Sequence, residues 1–95
     1  MRQDKGVIMV SRKVQIKNPT GLHLRPAGEL CKEAMLFKSK ITFEHDNTIS
    51  NAKSVLSVLG ACIKCGDVIT FKCEGEDERE ALKAIIKLAE NGFGE

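Results

Sequence analysis

The 95-residue chain has no tryptophan and no tyrosine, and phenylalanine occupies only four positions. So few rings give no platform on which successive bases could stack, which argues against a single-stranded nucleic acid partner. An excess of one charge is missing too. Fifteen Lys and Arg stand against 13 Asp and Glu, a formal net charge of +2, so no strong phosphate footprint is present either. Nowhere does the chain run for about 18 apolar residues, the length a membrane helix needs. Its start, Met1-Arg2-Gln3-Asp4-Lys5, also lacks the apolar stretch of a secretory leader. The expectation is a cytoplasmic protein with no direct nucleic acid partner and no membrane insertion. Prolines are scarce, at positions 19 and 26 alone, and no Pro-rich or Gly/Ser-rich linker divides the chain. With 42% hydrophobic residues it supports one domain around a single modest core, with little room for an enclosed active site.

Four cysteines are present. Cys62-Ile63-Lys64-Cys65 is a C-x-x-C, which with Cys31 and Cys73 raises a thiolate zinc site or a redox pair. A zinc site normally brings two such close pairs. Cys31 and Cys73 are single and fall at apolar positions of periodic segments, where a free cysteine serves as a small hydrophobe. No metal and no cofactor are therefore expected.

Residues 1–7 carry no pattern, and the first eight are expected to form a tail ahead of a domain spanning 9–95. From Ile8 through Val10, Val14 and Ile16 the apolar positions alternate, broken only at Arg12, which predicts a strand with one buried face. Asn18-Pro19-Thr20-Gly21 stops it. Ala27, Leu30, Cys31, Ala34 and Met35 then recur at helical spacing, predicting a helix that begins at His23 and ends near Phe37. Ile41 and Phe43 mark a second strand. His45-Asp46-Asn47 makes a turn into a short segment around Ile49, completing a hairpin, with His45 read as a solvated turn residue without a task. Ser54 is a favoured N-cap for a short helix over Val55-Leu56-Ser57-Val58-Leu59, with Gly60 as its stop. Gly66-Asp67 turns into a strand bearing Ile69, Phe71 and Cys73. Asp77 with Glu80 resembles a capping box ahead of a helix lined by Ala81, Leu82, Ile85, Ile86, Leu88 and Ala89, which Asn91-Gly92 ends. Strands with one apolar face and three interspersed helices predict an α+β fold, a single sheet with helices on one side and water on the other.

The chemistry concentrates in Pro19-Thr20-Gly21-Leu22-His23-Leu24-Arg25-Pro26-Ala27. The first amides of a helix lack intrahelical partners, and with the helix dipole they favour a phosphate-like anion. An imidazole, with an ordinary pKa near ~6.5, is largely unprotonated at neutral pH and able to attack phosphorus. Arg25 offers a fork of donors to phosphoryl oxygens. Pro26 has no amide hydrogen, but the first helical turn needs none, so it stiffens the helix start. It also disfavours helical geometry at Arg25, so some strain is expected there.

These residues resemble the phosphorylation motif of the histidine-containing phosphocarrier (HPr) family. Asn51-Ala52-Lys53-Ser54-Val55-Leu56-Ser57-Val58-Leu59 is similar to that family's regulatory serine segment. Gly66-Asp67-Val68-Ile69-Thr70 and Gly92-Phe93-Gly94-Glu95 extend the likeness from Met9 to the end. The resemblance implies an open-faced β-sandwich, a four-stranded antiparallel sheet in the order 1-4-2-3 with three helices on one face. It further implies a monomeric phosphocarrier of the sugar phosphotransferase system, itself not an enzyme. His23 would take a phosphoryl group on Nδ1 from enzyme I and pass it to enzyme II A domains, with Arg25 stabilising the group. Ser54 would be the target of an HPr kinase/phosphorylase. Leu24, Val55, Leu56 and Leu59 would form the apolar patch that meets these partners, while Val58 turns inward to hold the short helix. The alternative is an HPr-like regulatory module acting through phospho-Ser54 as a corepressor partner of a catabolite control regulator. Such proteins can lack the histidine, and His23 argues against that role alone. Leu24 stands where the family often has a small or polar residue, Ser57 where glycine is common, and Cys62 and Cys65 have no counterpart in it.

Overall fold

The computed structural model describes residues 9–95. The expected tail at residues 1–8, with Ile8 as the first apolar position of a strand, lies outside the described residues. Strand β1 (Val10–Gln15) leads to helix α1 (Leu24–Ala34), and β2 (Lys40–His45) with β3 (Thr48–Asn51) forms the expected hairpin. Helix α2 (Val55–Gly60), strand β4 (Val68–Glu74) and helix α3 (Glu78–Glu90) follow, before a single 3-10 turn at Gly92–Gly94. All strand pairs are antiparallel, in the order β1-β4-β2-β3. This is the open-faced sandwich.

Alternation in β4 shows why one face is covered. Ile69, Phe71 and Cys73 are fully buried, whereas Val68 and Glu74 are exposed and Thr70 and Lys72 half-exposed. Register sets Phe43 opposite Phe71 and Ile41 opposite Cys73, so the buried row continues from strand to strand. The two phenylalanine rings meet edge to face with centroids 5.8 Å apart, the arrangement their quadrupoles favour. Arg12 lies opposite Phe71 on the edge strand and is exposed. An edge tolerates this break in the period because a long side chain can reach past the rim to water. The other face is polar, with Lys72 Nζ 2.8 Å from Glu44 Oε1.

Asp46 and Asn47 carry φ of 49° and 66°, the pair of left-handed residues that matches a tight hairpin to the sheet twist. His45 is therefore not a turn residue but the last of β2. Its side chain is 21% exposed, with Nε2 3.4 Å from Asp67 Oδ2. Ile49 pairs with Glu44 on the outer face and is 63% exposed, while Ser50, opposite Phe43, takes the inward place.

Helix α1 stops at Ala34 rather than near Phe37. Leu36 N–H donates to Glu33 O and Phe37 N–H to Ala34 O, a tightened turn that leaves Met35 63% exposed instead of on the buried stripe. Helix α2 includes Gly60 and is capped at Ala61. The capping box expected at α3 is replaced by a different set of bonds. Asp77 precedes the helix, but its carboxylate accepts from Lys38 N–H, Ser39 N–H and the Ser39 hydroxyl, tying the α1–β2 connection to α3. Those bonds, the Ser39 hydroxyl first, hold Asp77 below the usual carboxylate range. Glu78, not Glu80, reaches back to the Gly75 N–H at 3.1 Å.

The cysteines divide as packing dictates. Burial, with Asp77 and Glu78 nearby, pushes the Cys73 thiol up to about 11, which suits a core residue. Cys31 is half-buried, and its thiol donates to Lys53 O at 3.1 Å. Cys62 borders a shallow cleft shared with His45 and Asp67, whereas Cys65 Sγ lies 3.8 Å from Lys17 O. Among the described residues, no group of three or more His, Cys, Asp and Glu is placed to hold a metal.

Candidate functional site

The loop before α1 is fastened by its glycine. Gly21 has φ of 67°, and a Cβ there would fall 2.1 Å from Ile63 O. Only a residue without a side chain lets the two backbones come so close. The next residue, Leu22, is buried and donates its N–H to the same carbonyl at 3.1 Å. His23 therefore emerges from a loop held on both sides, by the core through Leu22 and by α1 itself.

His23 is the N-cap of α1, in extended geometry, and its carbonyl accepts the Ala27 N–H at 2.9 Å. Its side chain makes no cap bond. Leu24 and Arg25 supply the first helical amides, which point out of the helix start without i−4 partners. Pro26, third in the helix, is fully buried and gives up no ladder bond. Arg25 lies within α1, so the proline behind it does not break the helix. Leu24 and Arg25 both project to solvent.

The imidazole turns toward the last residues of the chain. His23 Nε2 lies 2.8 Å from Glu95 Oε2, and Asn18 Nδ2 donates to Glu95 Oε1 at 2.6 Å. Glu95 is held below the usual carboxylate range by Asn18 first and His23 second, with the Arg25 charge adding to them. An ionised carboxylate can only accept, so Nε2 carries the hydrogen and the lone pair of the neutral ring sits on Nδ1. With its side chain 41% exposed, His23 is presented at the surface rather than enclosed. The sequence reading missed Asn18 and Glu95. The signals available were an Asn in the loop after β1 and the closing Gly92-Phe93-Gly94-Glu95, neither of which has a period that points at His23.

Helix α2 packs beside α1. Ser54 caps it as expected, its hydroxyl oxygen accepting the Ser57 N–H at 3.1 Å. The segment leading in is pinned by Lys53 Nζ, which donates to Phe37 O at 2.7 Å. The four apolar residues named for docking split into two classes. Leu24 is 66% and Leu56 82% exposed, whereas Val55 and Leu59 pack partly against the core around fully buried Val58. His45 stands in the β2–β3 hairpin beside Asp67, and its ring bonds none of Asn18, Arg25 and Glu95 among the described contacts. No helix among the described residues is long and apolar enough to cross a membrane.

The sequence and the fold are similar to those of known proteins. Residues 10–91 match the family PTS-HPr, described as the PTS HPr component phosphorylation site. The HPr-like protein Crh of Halalkalibacterium halodurans is 42% identical over 82 residues, covering 86% of this chain and 98% of that protein. Phosphocarrier protein HPr of Treponema pallidum is 39% identical over 87 residues, 92% of this chain and 99% of its own. Among solved structures, an HPr from Thermoanaerobacter tengcongensis superposes with a TM-score of 0.87 at 42% identity, covering 90% of this chain and 97% of that one. Crh of Bacillus subtilis, whose crystal structure is described as a dimer with a swapped domain, gives 0.71 at 32% identity, covering 96% and 95%.

Proposed function

The chain belongs to the HPr phosphocarrier family, and from that membership and the geometry at α1 we propose that His23 accepts a phosphoryl group from phospho-enzyme I and passes it to enzyme II A domains in sugar uptake. The observation that carries this reading is the Nε2 contact with Glu95, because it leaves Nδ1 as the nucleophile at a helix start that favours phosphate. The free amides of Leu24 and Arg25 and the guanidinium of Arg25 receive the phosphoryl oxygens, while Pro26 keeps the helix start stiff. Exposure of the ring suits a carrier, which must hand its group into the active sites of others. Leu24 and Leu56 supply the apolar contact that docks those partners, flanked by Val55 and Leu59. The protein works in the cytoplasm as a monomer.

Ser54 is the regulatory site in this reading. Its phosphate, added by an HPr kinase/phosphorylase, would meet the start of α2 without unfolding it and place about two negative charges beside the docking residues. A second reading is favoured by the likeness to Crh of Halalkalibacterium halodurans: phospho-Ser54 as the recognition mark for a catabolite control regulator. The two roles are compatible in a chain that has both His23 and Ser54.

Incubation with phosphoenolpyruvate and enzyme I tests the carrier role. It should yield an acid-labile phosphate that His23→Ala abolishes and His45→Ala leaves in place, and label lost from His45→Ala instead would move the site. Arg25→Lys keeps the charge but loses the planar fork, so transfer should slow with the fold intact.

A further inference from the structure

Asn18 sits on the loop between β1 and α1, only 5% exposed. A buried amide must place both of its hydrogens. Asn18 spends them on the segment that follows α3, donating to Gly92 O at 2.9 Å and to Glu95 Oε1 at 2.6 Å. The first bond anchors the 3-10 turn against the loop. The second fixes the plane of the Glu95 carboxylate, so that its other oxygen, Oε2, faces His23 Nε2 at 2.8 Å. Three side chains from the two ends of the domain thus form one connected series, with the Asn18 amide and the His23 imidazole both donating to the carboxylate between them.

We infer that Asn18 is a positioning residue of the phosphoryl relay, which, through Glu95, holds His23 in the tautomer whose Nδ1 lone pair is free. The inference rests on the proposal that His23 is the acceptor. The alternative tautomer would point a lone pair of Nε2 at an acceptor-only carboxylate and put a hydrogen on the attacking atom. A carboxylate that swung away would stop discriminating between the two. Asn18 is the group that prevents the swing.

The electron count agrees with this role. As Nδ1 attacks, its lone pair forms the N–P bond while the bond from phosphorus to the donor breaks, and that pair leaves with the donor. The ring keeps its Nε2 hydrogen and gains a positive charge, which faces the Glu95 carboxylate. On delivery the N–P bond breaks and its pair returns to Nδ1. No proton has to leave His23 in either direction, provided that Nε2–H is in place at the start.

The test combines ring spectroscopy with transfer rates on the full chain. In ¹⁵N-labelled protein at a pH where the imidazole is neutral, the His23 ring should be mainly Nε2–H, and Asn18→Ala should raise the Nδ1–H fraction. Acceptance of phosphate from enzyme I should slow about fivefold, the factor one ordinary hydrogen bond carries. In a Glu95→Ala background the same Asn18→Ala change should add nothing, because its route to His23 is gone. Equal slowing in both backgrounds, or slower transfer with an unchanged tautomer, would overturn the inference and leave Asn18 as a loop anchor only. If Asn18→Ala does not fold, Asn18→Ser, which retains a donor for Gly92 O, gives the same comparison. Failure of the underlying carrier reading looks different: His23→Ala would then keep its label.

Discussion

Replacing Gly21 by alanine places a Cβ 2.1 Å from Ile63 O and 2.8 Å from Lys64 Cα, at a φ of 67°. Two costs follow. A left-handed alanine loses roughly 1–2 kcal/mol. The contact itself cannot stand, and because its partner is backbone rather than a flexible side-chain end, the α1 loop and the α2–β4 connection must separate. Separation breaks the Leu22 N–H bond to Ile63 O and starts to expose Leu22, adding about 1–2 kcal/mol. The sum is about 2–4 kcal/mol, a large part of the roughly 5–15 kcal/mol that holds a domain folded. Gly66 is the control, since its φ is 94° but a Cβ there meets nothing within 4 Å, so Gly66→Ala should cost the conformational part alone. Urea unfolding of the two variants should differ by at least about 1 kcal/mol, or about 4–8 °C in Tm for a domain of this size. Because Leu22 adjoins His23, phosphate acceptance should also fall more in Gly21→Ala than in Gly66→Ala. Equal losses of stability would refute the argument that close backbone approach, rather than φ, demands glycine at position 21.

Asp77 is held ionised by its bonds to the 38–39 backbone and the Ser39 hydroxyl; its contribution is therefore complete above the ordinary Asp value of about 3.9 and is lost as pH falls through the lower folded value. Urea unfolding should show Asp77→Asn less stable than the parent at pH 6 and the gap narrowing at pH 3, and a constant gap would mean that the carboxylate charge is irrelevant. Val58→Ala removes two buried methyls and should cost about 2–3 kcal/mol, while Leu56→Ala should change stability by less than about 0.5 kcal/mol yet weaken binding to enzyme I in calorimetry; the opposite ranking would make Leu56 the packing residue. Ser54→Asp should remain folded and accept phosphate more slowly at low salt, with a smaller deficit as salt rises because exposed charges are screened. An unchanged low-salt rate would leave Ser54 as a helix cap.

How much could be read from the chain depended on the range of the interaction. Alternation at Ile69, Phe71 and Cys73, and helical spacing at Ala81, Ile85 and Ile86, are local patterns written by burial, and they appear in the structure as expected. Strand order is not local, and it came from resemblance rather than from periodicity. Met35 shows the limit within a helix, since a tightened last turn moves a residue off the stripe without changing its sequence spacing. Asp77 looked like a cap because caps are usually satisfied by neighbours; instead it serves Lys38 and Ser39, nearly forty residues back. His23 and Arg25 could be proposed from the chain because both lie in one short motif. Asn18 and Glu95 could not, because a polar residue in a loop has no period and its partner is named only by the finished fold.

The bond from Glu95 to His23 spans 72 residues, and that separation has a meaning in time as well as in space. During synthesis His23 and all of α1 leave the ribosome long before the carboxylate exists, at about 5–20 residues per second. A nascent chain, or one cut ahead of Gly92, carries the histidine without the group that orients it. On the proposed reading, a released and folded chain cut ahead of Gly92 should accept phosphate from enzyme I more slowly than the chain that carries Glu95.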